Sequence, residues 1–332
     1  MKSYNFKEVF ELADTYTGTS GISTFAGKLW KTKVVQFGEA LRRFDQGCSI
    51  YTDLVGTGAV DLVVPYTTSH KDVSTATNTE GSGTATERAH TALDNMTGVT
   101  LSVAATDFKQ GDVTVTKAAE MSSMVNLVGQ ARYVVAQALA QDVDTAIATA
   151  LQSTSVTNRV WGDSSATDPS GLGAGDKLTP SLLADAMEKI ESNNFVPDLV
   201  YIGTKQLREL RKDSQFTNAA EYGSDRVVLK GEVGEYLGVK VIVTTNTPAY
   251  TSGDTDVNQP TKTWGATGHM CIMTGTTKDG QKASGALAWK EMPSISYEYE
   301  KRKNLHHIFY DQAFKAGIIQ PGATCLIGVS DD

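Results

Sequence analysis

The sequence predicts an α+β protein in which part of the chain is not built to fold by itself. Three observations carry this. Apolar residues recur at helical spacing, without a proline, across residues 118–152. From residue 179 onward, short helices alternate with short apolar strands, closing on a strand with period-two alternation at 294–300. Residues 1–52 read as an arm rather than a domain, and the stretch between Tyr66 and Val99 has almost no large apolar residues.

Composition sets the frame. The chain has 332 residues, 40% of them hydrophobic and 20% charged, which is the make-up of a folded rather than a disordered protein. That length corresponds to about two domains and to burial of roughly three quarters of the unfolded surface. Thirty Lys and Arg oppose 38 Asp and Glu, for a net charge of −8. Such a balance argues against gripping phosphates over a broad face, but not against enclosing nucleic acid. Cys48, Cys271 and Cys325 lie far apart and form no CxxC pair, so neither a zinc site nor a disulfide framework is expected, in keeping with a reducing compartment. The first residues, Met1–Tyr16, carry charges where a signal peptide needs an apolar run. No stretch reaches the ~18 consecutive apolar residues of a membrane span. The expected compartment is the cytoplasm, or an assembly made there.

Residues 1–52 read as an arm. Phe6, Val9, Phe10 and Ala13 suggest a short helix, and Trp30, Val34, Phe37 and Leu41 a second one within Phe25–Phe44. The second is locally basic (Lys28, Lys31, Lys33, Arg42, Arg43), which reads as a solvated face rather than an anion site. Next come two β-type runs, Val60–Tyr66 and Val99–Ala105, separated by a Thr/Ser/Gly/Ala-rich loop. A loop of that length without core residues is functional, disordered or ordered by a neighbouring chain. A lone hairpin of two such strands is not stable in water.

Residues 118–152 carry Met121, Met124, Val125, Val128, Val135, Leu139, Val143, Ile147 and Leu151 at helical spacing, interrupted only by Gly129. As one helix they would span roughly 50 Å. Asp142 and Asp144 read as the wet face of that helix. The Gly/Ser/Asp-rich stretch Ser153–Lys177 reads as a loop.

Thr179-Pro180 supplies an N-cap and a proline at the first helical position, opening a helix to Ser192. Leu199–Gly203 reads as a strand, and Thr204 as the cap of a helix containing Leu207 and Leu210. Strands are predicted at Arg226–Lys230, Val239–Thr244, His269–Thr274 and Ala286–Met292, with a flexible polar loop at 249–263. Ile295, Tyr297 and Tyr299 alternate with polar residues as a half-buried strand, and the run His306–Phe314 follows. A hairpin over Ile318–Val329, turning at Pro321-Gly322, completes the chain.

No catalytic, cofactor-binding or metal-ligating constellation emerges. In Gly21–Lys28 the second glycine is one position late for a phosphate-binding loop, and Leu29 stands where Ser or Thr would hold magnesium. Asp254-x-Asp256-x-Asn258 begins like a calcium loop, but Gln259 and Gly265 replace its glycine and bidentate glutamate. Neighbouring His306 and His307 point to opposite faces of a strand and cannot easily share a metal; His70, His90 and His269 lie in no HExxH motif. Gly56-Thr57-Gly58 lacks the third glycine of a dinucleotide fingerprint, and neither a GxSxG elbow nor a Cys/His signature is present. An enzyme reading rests on nothing positive.

What remains is the order of parts: arm, hairpin, long helix, compact α/β unit, terminal strands. An arm and hairpin without a core must find apolar contacts on other copies, which predicts a cooperative homo-oligomer. The order resembles that of the major capsid proteins of tailed bacteriophages and related viruses, the Hong Kong 97-like shell fold. The resemblance is carried by Val60–Pro65 followed by the Thr/Gly/Glu-rich loop, similar to the extended loop of that family. It is carried also by Arg132–Asp144, similar to a spine helix ending in an AxxxD pattern at Ala140 and Asp144. Its clearest part is Val196–Gly203, then Leu207 and Leu210, then Gly231, Gly234, Gly238 and Val241 in a GxxGxxxGxxV turn, similar to the axial domain.

The resemblance implies an N-terminal arm (1–52), an extended β-hairpin loop (53–110), a peripheral domain (111–178) with a spine helix at 118–152, an axial domain (179–289), and return strands of the peripheral domain (290–332). It implies a structural protein, not an enzyme, without cofactor or metal: a major capsid protein that self-assembles through pentamers and hexamers into an icosahedral shell around viral double-stranded DNA. The shell would hold DNA without sequence-specific binding, contact no membrane, and work with portal, scaffolding and decoration proteins. Its place would be the virion capsid, assembled in the host cytoplasm. With only residues 1–52 before the extended loop, scaffolding is expected from a separate protein. Some relatives form Lys–Asn cross-links; Lys71 and Asn304 are of those types, but single residues of such types arise by chance, and no cross-link is predicted. The competing readings are an encapsulin-like nanocompartment shell, which the same fold can build, and a motif-free α/β enzyme.

Overall fold

The computed structural model describes residues 43–67, 96–123, 126–212 and 235–331. The expected arm helices, the Gly21–Lys28 run, Lys71, His70, His90 and the strand Arg226–Lys230 lie outside the described residues.

A single 3-10 turn, Phe44–Gly47, leads into β1 (Cys48–Tyr51). Strands β2 (Asp61–Thr67) and β3 (Met96–Ser102) pair antiparallel, from Asp61 opposite Ser102 to Thr67 opposite Met96, as the two apolar runs predict. Strand β4 (Phe108–Thr116) runs into α1 (Lys117–Ser122), which the Thr116 hydroxyl caps by accepting from Ala119 N–H. Then comes α2 (Leu127–Leu151). The single helix expected over 118–152 is therefore two. Ser123 is extended, and the Asn126 side chain starts the second helix by accepting from Gly129 N–H at 2.8 Å. Periodicity does not reveal the break, because apolar residues continue at helical spacing on both sides of it.

Ser153–Lys177 is not all loop: it contains β5 (Arg159–Trp161). Helix α3 (Pro180–Glu191) has Thr179 as N-cap and Pro180 in its first turn, as predicted. Strand β6 (Val196–Ile202) precedes α4, which begins at Thr204 itself and runs to Lys212. Strands β7 (Glu235–Tyr236), β8 (Val239–Val243), β9 (Ala249–Tyr250) and β10 (Gly268–Thr276) follow. The chain ends in β11 (Gly285–Glu300), β12 (Leu305–Ile318) and β13 (Thr324–Ser330).

Two sheets organise these elements. The first has four strands in the order β1-β11-β12-β4; the second runs β5-β13-β10-β6-β8-β7, with β9 on β10. The two strands expected at 286–292 and 294–300 are one long strand. Pro293 falls where the register against β12 shifts, so its missing N–H breaks no ladder bond. The hairpin expected over Ile318–Val329 is absent. Pro321–Ala323 forms a 3-10 turn that carries the chain from the four-stranded to the seven-stranded sheet. Consequently 324–330, expected among the peripheral return strands, pair with β10, and β5 joins the same sheet through β13.

Alternation along the strands of the second sheet divides the core. Cys271, Met273, Cys325, Ile327 and Val329 face α3, meeting Leu182, Leu183, Ala186 and Ile190. Met270, Ile272, Tyr201 and Leu326 face the other way, toward Val143, Ile147 and Leu151 of α2 and Trp289 and Phe314 of the first sheet. Each such aliphatic side chain, fully buried, contributes about 2 kcal/mol of transfer free energy. All three cysteines are buried thiols, and burial pushes Cys271 and Cys325 up to about 12, so they are inert.

Candidate assembly surfaces

The best-fixed point in the subunit is where the chain emerges from residues 1–42. Asp144 of α2 is fully buried. Its Oδ1 accepts from the backbone N–H of Arg43 (2.8 Å) and Phe44 (2.7 Å), and its Oδ2 accepts from Asn246 Nδ2 (2.8 Å). The Phe44 ring lies tilted against Tyr201 with centroids 4.4 Å apart, and the Tyr201 hydroxyl donates to Phe44 O. Burial raises that hydroxyl's pKa, keeping it a neutral donor. Gly47 follows because a Cβ there would stand 2.6 Å from Tyr201 Oη. Thus Asp144 is not on a wet face, as the sequence suggested; it joins the arm's end, the long helix and the Asn246 loop. The sequence did hold a signal, since Asp144 shares its helix face with Ile147, Ala148 and Leu151, and a charge on an apolar stripe needs buried partners. Asp142 behaves closer to expectation. It is half-buried, with Lys109 of β4 and Gln312 of β12 as partners.

The 249–263 loop is also more structured than expected. Tyr250 stacks on Trp264 at 4.5 Å and donates to Gln152 Oε1 at 2.6 Å. Asp254, Asp256 and Asn258 do not converge on a cation. Asp254 accepts from Thr251 N–H, Asp256 from Asn258 N–H, and the Asn258 amide turns to Arg159, Ser153 O and Val156 O. Burial raises the pKa of Asp256 against those backbone bonds.

The base of the β2–β3 hairpin is anchored. Leu54, Val64, Leu101 and Val103 pack on Ala286, Ala288, Ala313 and Ile319. Gly317 permits this approach, because a Cβ there would lie 2.4 Å from Leu101 Cδ2. Lys290 donates to the carbonyls of Thr57 and Ala59. Beside these anchored residues, Val60 and Val63 are exposed.

The far half of the β4–β11–β12 ribbon is different again. Register puts Ile295, Tyr297 and Tyr299 on one face with Tyr310, Ile308 and His306. That face was expected half-buried; Ile308 and His306 on it are buried, while Ile295 and Tyr297 are exposed, Tyr297 by 42%. Their cover is thin: the Arg132 guanidinium lies 4.6 Å over the Tyr297 ring, and His306 stacks beside it with Nε2 2.9 Å from Glu120. On the opposite face His307 lies between Asp112 (2.7 Å) and Glu300 (3.2 Å), so the two histidines do point apart. Phe309 on that face is exposed as well, and Met121 of α1 is 77% exposed.

A subunit that locks one end of its long helix into a core while leaving apolar residues of a ribbon and a hairpin exposed has surfaces fit for contact with other copies. Comparison with known proteins agrees. A family model described as phage capsid protein matches residues 98–323, and the chain belongs to that family. Similar solved structures include the cyanophage Pam1 capsid asymmetric unit, at 14% identity and a TM-score of 0.66 over 93% of this chain and 98% of that one. They also include the capsid of cyanophage P-SCSP1u (14%, TM-score 0.64, 94% of each chain) and a structure from Mycobacterium phage Che8 (17%, TM-score 0.63, 91% of this chain and 97% of that one). No curated protein matches. The α+β fold is Hong Kong 97-like, and the protein is a bacteriophage major capsid protein that self-assembles into the icosahedral shell of the virion. The nanocompartment and enzyme readings are not favoured.

Proposed function

We propose that this shell encloses double-stranded DNA without binding it in a sequence-specific way, and that the subunit's work is wholly structural, with no catalytic step. The net charge of −8 supports the first part, since packaged DNA is then balanced by mobile counterions rather than by the wall. Assembly in the host cytoplasm and cooperation with portal, scaffolding and decoration proteins complete the reading. The division into arm, extended loop, peripheral domain and axial domain follows the sequence boundaries, with β5 and β13 added to the axial unit. The observation that carries this reading is the uncovered apolar set on extended elements: Val63, Met121, Ile295, Tyr297 and Phe309. Neighbouring copies would cover it, with the extended loop lying across one of them.

Size-exclusion chromatography with negative-stain microscopy of the full chain tests the reading. Closed particles are expected, and a stable monomer under every assembly condition overturns it. Deleting residues 68–96 is expected to leave a folded subunit that closes no shell. Shells of normal size from that variant would show that the loop is not an intersubunit tie.

A further inference from the structure

Among the described residues, three other than glycine hold a positive φ: Asn194 at 64°, Leu237 at 48° and Asn304 at 52°. Asparagine tolerates this region because its short amide bonds to nearby backbone; leucine has no such compensation, and its Cβ crowds the following carbonyl. Leu237 and Gly238 (φ 85°) form the two-residue turn between β7 and β8, bracketed by Tyr236 opposite Val239 and Glu235 opposite Lys240. A turn with positive φ at both positions favours Asn-Gly or Gly-Gly. Here a leucine stands in the first position and is 65% exposed. The subunit on its own leaves this side chain mostly exposed and carries its backbone strain.

Strain of that kind persists where function uses it. The turn lies at the edge of the seven-stranded sheet, beyond β8. Leu199 pairs with Lys240, so the start of β6 lies at the same end of the sheet as the turn. Val196, the first residue of β6, is also exposed. Two exposed aliphatic residues therefore lie at the same end of the sheet, in a chain that belongs to a capsid family.

We propose that Leu237 is an intersubunit contact, seated in an apolar recess of a second copy of this chain and flanked by Val196. The inference rests on the shell reading and names a contact within it. The test uses the full chain, with wild-type shells as the control; if the wild type closes no shell, the shell reading fails, whatever the variants do. Leu237→Asn and Leu237→Gly remove the apolar side chain and relieve the turn. Both are expected to keep or raise the Tm of the unassembled subunit while raising the critical concentration for assembly at least fivefold. Leu237→Met, which keeps an apolar side chain of similar volume, is expected to assemble within twofold of wild type. An unchanged critical concentration in the Asn and Gly variants overturns the proposal, as does failure of the Met variant to assemble. A fall in subunit Tm with Asn or Gly also overturns it, because Leu237 would then be packing against its own chain.

Discussion

Helix α2 is one regular element with two unlike halves. From Leu139 to Leu151 it buries Leu139, Val143, Asp144, Ile147, Ala148 and Leu151; from Leu127 to Ala138 it buries only Val135, while Tyr133 and Val134 face outward. The same contrast runs through what each half touches. The C-terminal half meets Phe44, Tyr201, Trp289 and Phe314, where every large side chain has neighbours on all sides. At the N-terminal half, Arg132 lies over the outer ribbon, where Tyr297 has a cation, a histidine and Ile308 beside it and is still 42% exposed. Covalent continuity makes the two halves one element, but only one half is paid for by the subunit's own fold. The other half leaves Tyr133 and Val134 exposed, which is the surface that neighbouring copies would cover under the proposed reading.

Replacing Asp144 tests the interior half most severely. Asp144→Ala leaves the buried Phe44 N–H and the part-buried Arg43 N–H and Asn246 amide without their acceptor, and is expected to cost about 2–4 kcal/mol. Chemical denaturation of the unassembled subunit measures it. Asp144→Asn keeps an oxygen for the Arg43 and Phe44 N–H groups and should lose less than half as much. A loss below about 1 kcal/mol in the alanine variant would mean that the carboxylate is no structural hub.

On the ribbon the expectation reverses. Ile295→Ser with Tyr297→Ser removes two exposed side chains, so subunit stability should change by no more than about 1 kcal/mol. Shell formation, read by sedimentation and negative stain, should nevertheless be lost or restricted to much higher protein concentration. If the subunit unfolds instead, the ribbon belongs to the core. If shells form normally, this face is not an assembly surface.

How much of this could be read in the sequence follows the same division. Elements held by local rules were legible: the Thr179-Pro180 helix start, the β2–β3 pair, and β10 with its unbroken apolar run. What was missed depended on contacts between residues far apart in sequence. The partners of Asp144 are about a hundred positions away in both directions, so its helix position alone read as solvent-facing. The move of β13 into the second sheet is decided by the register of β10, which no local pattern around Pro321-Gly322 records. Ile295 and Tyr297 alternate as a strand face should, and Ile308 and His306 on that face are buried; alternation alone does not say how far along the strand the cover extends.

The smallest expected effect lies on the polar side of the ribbon, where His307 bridges β4 and β11. Its pKa is raised above 6.5, chiefly by the hydrogen bond to Asp112, with Glu300 adding to it against a desolvation penalty. Glu298 stands opposite it in the ladder and adds further negative charge to that face. A base whose pKa is higher in the folded state binds its proton more tightly there. Its stabilisation is therefore complete below the unfolded value near 6.5 and is lost as pH rises through the folded value. The wild type should thus exceed His307→Gln in Tm at about pH 5.5, the gap should narrow by about pH 8.5, and ~1 M salt should shrink it at the lower pH. A gap equal at both pH values would show that His307 holds the two strands by packing, through its 5.6 Å stack on Phe309, and not by charge.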